Sequence, residues 1–328
     1  MTRRKKGASA RSRGATAAAP STQPVKDYAG AVVSVLIGAR DAVECIEACL
    51  ESLEREAAPA NVEVIVAVPN SDPVATIVET QFPWVEVVRV DDRPGAPNLA
   101  VLRAAAFARS RGAIVAFTDA HCKVKPGWVA ALRRAIEGGA DVAAGAVMNG
   151  TAKTITGWTS FLFDYGEFLP PVAAGPAHAL SGNNIAYRRE MLGEPAEHEA
   201  DGLLKYFVNA RLAAERRQLR CAPEMIVVFR RRISLGRLLR DRFHFGRCFA
   251  AQRLEHGVVK SRAAYRVLAP LLPALVIVRL FRRLLARPVL RTQVVRCALP
   301  LAIVAVSWGL GEAAGALLGR GRSCREVY

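Results

Sequence analysis

Asp119 and His121 stand two residues apart in the segment FTDAHCKVKPGW, residues 117–128. A carboxylate and an imidazole at that spacing on an extended segment project to the same side. Oxygen plus imidazole is a donor set that suits Mn²⁺ and tolerates Mg²⁺. The pair follows AIVAF (113–117), an apolar, partly β-branched run with the signature of a buried strand. Such a strand carries both side chains to the carboxyl edge of a sheet, where ligands bind in open α/β folds. A plainer reading also stands, in which Asp119 caps the turn before the next helix and His121 bonds a backbone carbonyl.

The flanking pattern supplies the sheet that this reading needs. AVVSVLI (31–37), VEVIVAV (62–68), VEVVRV (85–90) and DVAAGAV (141–147) read as further strands. Ile46, Cys49, Leu50 and Leu53 share one helical face, and helices are predicted over 98–110 and 126–137, with Pro126 suited to a first turn. Strands alternating with helices imply a mostly parallel sheet with right-handed crossovers. Beyond residue 150 the signal weakens. HALSGNNIAYRRE (178–190) predicts a strand beside a loop rich in side-chain amides, followed by a helix over 202–217 and a strand over 225–229.

The charge balance is +17 and unevenly spread. Residues 1–26 carry +7, residues 27–215 carry −8, and residues 216–328 carry +18. Positive charge beside C-terminal apolar segments points to anionic membrane lipid as a partner. No zinc-finger spacing or aromatic RNA-binding pattern accompanies it, so nucleic acid is not expected. The seven cysteines form no CxxC pair and no disulfide framework, and reduced surroundings are the expectation. The first 28 residues have no apolar core of a secretory signal and predict a disordered basic tail.

Two apolar segments close the chain. VLAPLLPALVIV (267–278) holds two prolines and is short for a bilayer span, whereas residues 297–319 are long enough, with Glu312 as their single charge. Arg279, Arg282, Arg283, Arg287, Arg291 and Arg296 lie between them. A full crossing by the first segment would put six arginines outside the cytoplasm, against the positive-inside tendency. A shallow first segment and a more deeply inserted second one are therefore expected. Gly311, Gly315 and Gly319 recur at a spacing that lets helices approach closely. Glu312 is either a functional group or a helix-end side chain, protonated or paired with Arg320.

Taken in order, TDAHC (118–122), SGNNIAYRRE (181–190), FVNARL (207–212), GRCFAAQR (246–253) and the small-residue tail GEAAGALLGRGRSC (311–324) resemble a membrane-associated bacterial family 2 glycosyltransferase. The resemblance implies a GT-A fold, with a mostly parallel α/β sheet sandwiched by helices and C-terminal membrane-associated helices. It implies a domain over 29–232, an amphipathic basic segment over 233–262 and membrane-associated helices over 263–328. The implied reaction moves a sugar from a nucleotide-sugar donor to a lipid or lipid-linked acceptor at the cytoplasmic membrane face, with inversion and with Mn²⁺ or Mg²⁺.

Residue by residue, the resemblance places Asp119 and His121 at the metal and diphosphate. Arg40 and Asp41 in GARD (38–41), and Ser71 in VPNSDP (68–73), fall at the nucleotide loops. Val68 and Pro69 stand there in place of acids. Asn183 and Asn184 fall at the donor pocket, with satisfaction of turn backbone as their alternative role. Arg247 and Arg253, read from their paired N–H groups, either grip the donor diphosphate or take part in amphipathic lipid contact. The catalytic base is expected shortly before Arg211–Leu212. Lys205 occupies that place, which leaves Glu199 and Asp201 as the candidate carboxylates. These departures keep open an alternative, a catalytically degenerate relative acting as a membrane scaffold.

Overall fold

The computed structural model describes residues 32–57, 61–92, 97–151, 153–199, 201–259 and 261–327, so the expected basic tail lies outside the described residues. In chain order the first half holds β1 (Val33–Gly38), α1 (Ile46–Ala57), β2 (Val62–Pro69), α2 (Val74–Gln81), β3 (Glu86–Val90), α3 (Leu99–Arg109), β4 (Ile114–Thr118), β5 (Cys122–Val124), α4 (Trp128–Glu137) and β6 (Val142–Asn149). There follow α5 (Ile155–Tyr165), β7 (Gly175–Pro176), β8 (Asn184–Arg188), α6 (Lys205–Ala214) and β9 (Leu219–Phe229). The C-terminal part is helical: α7 (Leu235–Glu255), α8 (Arg262–Val267), α9 (Leu272–Leu285), α10 (Arg291–Arg296) and α11 (Ala298–Leu318).

The strands form one sheet in the order β3-β2-β1-β4-β8-β6-β9-β5, with β7 on β9. The run β3-β2-β1-β4 is parallel, β8 is inserted antiparallel between β4 and β6, and β6 and β9 are again parallel. Both faces are covered. Val33, Val35 and Ile37 of β1 join a core with α1, α2 and α4, while Leu36 faces a second core with α3 and α6. Double-sided burial explains why these strands read as continuous apolar runs rather than alternating ones. At the bulge between Ala144 and Ala146, Gly145 lets β9 approach; a Cβ there would lie 1.9 Å from the Met225 carbonyl oxygen.

Several expectations change. β9 begins six residues before the apolar run MIVVF, because Pro223 and the charged residues of 219–224 conceal its start. α6 spans 205–214 rather than 202–217, and its N-cap is Leu204 with no side-chain cap, so Asp201 does not cap it. α4 starts at Trp128 on a left-handed Gly127, leaving Pro126 outside the helix. Cys248 and Cys324 form a disulfide across a separation of 76 residues, which no local spacing announced.

α7 packs parallel along α11 as part of the globular unit, with Leu239, Phe243 and Arg247 meeting Ser307, Gly311 and Gly315 in the same order. A Cβ at Gly311 would lie 2.1 Å from the Phe243 carbonyl oxygen, and one at Gly315 2.2 Å from that of Arg247. The expected small-residue contact is thus made within this chain. Among the described residues, α11 is the one helix long and apolar enough to cross a membrane. Glu312 is buried in it and accepts from Arg253 (3.2 Å), Tyr265 (2.7 Å) and Trp308 (3.3 Å); Arg320 pairs instead with Asp201 and Glu255.

Candidate active site

β4 delivers Asp119 to the carboxyl edge of the sheet, as its sequence predicts. The backbone turns at once: the Cys122 N–H donates to the Asp119 carbonyl at 2.8 Å. Asp119 and His121 therefore sit on a turn rather than on the extended segment expected. Both stay partly exposed and lie within electrostatic reach of one another. Asp119 Oδ1 accepts from Arg103 Nη2 at 3.1 Å, an ion pair whose side chains are 17% and 15% exposed.

Burial alone would raise the Asp119 pKa, but the charges of Arg103 and Lys205 and the Arg103 hydrogen bond carry it below the ordinary carboxylate value. Burial and then the Arg231 charge lower His121 to about 4, against the opposing pull of Asp119. At neutral pH the pair is thus an anionic carboxylate and a neutral imidazole. Asp119 Oδ2 and the His121 ring hold no hydrogen bond to a described residue, which leaves both donor atoms available. This chemistry fits a divalent cation that takes its remaining ligands from phosphate and water, although no cluster of three or more His, Cys, Asp or Glu side chains suited to a metal occurs among the described residues.

Lys205 opens α6 and is buried against the same spot. Its ammonium donates to the Gly182 carbonyl and lies 5.1 Å from the centre of the Phe117 ring. Burial, then the Arg103 charge, brings its pKa down to about 7. Around this cluster Arg103 Nε, Thr118 Oγ1 and Asn183 Oδ1 are buried without a hydrogen-bond partner, and Asn183 Nδ2 donates to Cys122 Sγ at 3.3 Å. Unsatisfied buried groups gathered at one sheet edge mark it as a place where a ligand or water is wanted.

The loops after β1 and β2 are tied to one another: the Asp41 N–H donates to Asp72 Oδ2 at 2.8 Å, and Asp72 Oδ1 accepts from the Val74 N–H at 3.0 Å. Asp72 is thereby fixed as the clasp of the loops and the start of α2. Ser71 is exposed, and its backbone N–H is held by Asp92. Arg40 Nη1 donates to the Arg325 carbonyl at 2.9 Å, and Asn98, the N-cap of α3, donates to the Cys324 carbonyl at 3.0 Å. The chain after α11 thus lies against the first loop.

The other candidates separate. Asn183 belongs to the cluster. Asn184 instead locks the fold: its Oδ1 accepts from Trp128 Nε1 at 2.8 Å, and its Nδ2 donates to the carbonyls of Ala146 and Met225. All its amide groups are engaged and it is fully buried, so nothing remains for a ligand. Arg247 Nε donates to the Gly319 carbonyl at 3.0 Å, closing the end of α11. Glu199 and Asp201 are exposed, with Asp201 3.7 Å from Arg320, on a segment docked on α3 by the Leu203 N–H to Ala100 carbonyl bond. A cavity of about 710 Å³, lined by Ala113, Ile136 and Arg188 among others, opens at the opposite sheet edge and takes no part in this constellation.

Sequence reading missed Arg103. Its only signal is a single cation within the otherwise apolar first two turns of α3.

Residues 34–194 match the family described as Glycosyl transferase family 2. No protein of curated function matches the chain. Among solved structures, a mannosyltransferase PcManGT from Pyrobaculum calidifontis, in complex with GDP-Man and Mn²⁺, is 15% identical with a TM-score of 0.50, covering 85% of this chain and 86% of its own. S. aureus TarS 1-349 is 13% identical with a TM-score of 0.48, covering 86% of this chain and 90% of its own. Residues 34–194, just under half of the chain, thus belong to the family 2 glycosyltransferases.

Proposed function

We propose that this family 2 glycosyltransferase moves a sugar from a nucleotide-sugar donor to a lipid or lipid-linked acceptor at the cytoplasmic face of a membrane, with inversion. One observation carries the reading: Asp119, held ionised by Arg103, and His121, held neutral, stand partly exposed at the carboxyl edge of β4 beside the clasped loops after β1 and β2. Asp119 and His121 would hold Mn²⁺ or Mg²⁺. Such a cation neutralises the charge that develops on a departing diphosphate. That PcManGT is in complex with GDP-Man and Mn²⁺ supports the assignment.

The chain's own residues do the rest. Arg103 keeps Asp119 charged and aimed. Arg40, Asp41 and Ser71 border the nucleotide, Asn183 the donor sugar, and Arg247 holds the tail that lies against Arg40. Asp201 or Glu199 accepts the proton of the attacking hydroxyl, both being exposed carboxylates on the segment that precedes α6.

Lys205 favours a second reading, a relative that binds donor without turning it over, because a buried cation stands where the resemblance expects a carboxylate. Purified full-length protein assayed with UDP- and GDP-sugars and Mn²⁺ tests both. Transfer or donor hydrolysis abolished by Asp119→Ala supports catalysis at this site. Binding without turnover supports the second reading, and no binding of any donor overturns both.

A further inference from the structure

α11 is apolar and long enough to span a bilayer, yet the contacts along it place it otherwise. At its start, the Cys297 thiol donates to the Ile155 carbonyl at 3.8 Å, and Leu301 and Ala305 share a core with Leu162 of α5. Near its middle, Ser307 Oγ donates to the Leu239 carbonyl at 2.8 Å, and Gly311 lies against the backbone of Phe243. At its end Arg247 takes the Gly319 carbonyl, Cys324 is bonded to Cys248, and the carbonyls of Cys324 and Arg325 reach Asn98 and Arg40 beside β1.

A helix of 21 residues is about 31 Å long, roughly the thickness of the hydrocarbon layer. Both of its ends touch the catalytic unit. Crossing the bilayer would put those ends on opposite sides, with the same unit attached to each. It would also carry α7, with Arg240, Asp241, Arg242, Arg247 and Arg253, into hydrocarbon. Glu312 is consistent with this, since its charge is met inside the protein by Arg253 and Tyr265.

The apolar surface left over faces outward from the C-terminal helices and their connections: Val267, Leu268, Leu271, Val295, Leu299 and Leu318 are all more than half exposed. On α9, one of these helices, Arg279, Arg282 and Arg283 line a surface pocket of about 350 Å³; Arg283 also pairs with Glu167, and among the described residues Arg279 and Arg282 form no ion pair. Exposed apolar side chains next to unneutralised arginines match a leaflet whose headgroups are anionic.

We infer that the C-terminal helices form a one-sided membrane-docking surface, with α11 lying along the catalytic unit and the arginine pocket seated on anionic lipid headgroups. The surface rests on the membrane part of the proposed function and gives it a geometry: the described residues stay on one side, with Cys324 and Arg325 beside the loop after β1.

Two measurements on the full-length protein test this. In sedimentation with phosphatidylcholine vesicles containing or lacking roughly a third phosphatidylglycerol, binding requires the anionic lipid and falls with salt. Arg279→Glu/Arg282→Glu lowers that binding at least about tenfold while UDP- or GDP-sugar binding is unchanged. Equal binding by wild type and variant, or by both vesicle types, overturns the docking surface and leaves the glycosyltransferase reading standing. In sealed membrane vesicles with the catalytic unit outward, added protease removes a C-terminal epitope; protection of the epitope shows that α11 crosses and overturns the inference.

Discussion

Arg103 Nη2 lies 3.1 Å from Asp119 Oδ1, joining the second turn of α3 to the end of the central parallel strand. The pair is partly buried, so the carboxylate depends on its partner for its charge. Arg103→Met removes the opposing charge while burial remains, and the Asp119 pKa rises. Metal-dependent donor binding then weakens by about 10- to 100-fold, the range for losing an outer partner of a ligating group, with the greater loss at lower pH. Arg103→Lys restores part of it, since a single ammonium keeps the charge without the planar fork. Calorimetric titration with donor and Mn²⁺ at two pH values checks this.

Lys205 gives a stability signature with a defined sign. Its folded pKa is about 7 against an ordinary 10.5, so between those values the unfolded chain binds more protons. Stability therefore rises with pH across that window, as the cost of burying a charged ammonium disappears. Calorimetric melting between pH 7 and pH 10 should show this rise. Lys205→Met should flatten it, and an unchanged slope would refute the assignment.

Asn183 and Asn184 should differ sharply despite adjacency. Asn184→Ala leaves Trp128 Nε1 and the carbonyls of Ala146 and Met225 unpaired in the core. At about 1–3 kcal/mol for each buried group left unsatisfied, the loss is about 3 kcal/mol or more. Asn183→Ala removes only a contact to Cys122 Sγ and costs about 1 kcal/mol or less. Donor affinity should respond in the opposite order, falling mainly for Asn183→Ala. Urea unfolding and donor titration measure the two effects separately.

The Cys248–Cys324 bond closes a loop of 76 residues that contains α8 to α11. In the chain-entropy account such a loop is worth about 4 kcal/mol. Dithiothreitol should lower the melting temperature of the wild type, and Cys324→Ser should show the reduced value without further response. Reduction also frees the carbonyls of Cys324 and Arg325 from their anchorage, so donor affinity is expected to shift with it. Melting curves with and without reductant decide the first point.

Much of the fold was legible because its strands are covered on both faces and its helices on one. Continuous apolar runs such as VEVIVAV and the spacing of Ile46, Cys49, Leu50 and Leu53 express those two conditions directly. Elements whose order depends on partners were not. β9 begins in LRCAPE, which becomes a strand because β6 and β7 pair with it. Asn184 looked like Asn183 in sequence, and only the approach of Trp128 and β9 turned it into a structural residue.

By itself the sequence determined the alternation of strands and helices, the strand end that carries Asp119 and His121, and the family to which residues 34–194 belong. Those are consequences of local periodicity and of short ordered motifs. Tertiary structure decided that Arg103 holds Asp119, that Lys205 is buried beside it, that Arg253 meets Glu312 and that Cys324 reaches Cys248. Each joins residues at least 16 positions apart. Nothing in local composition encodes such pairings, because they arise only when packing of the two cores and of α7 against α11 brings the distant groups together.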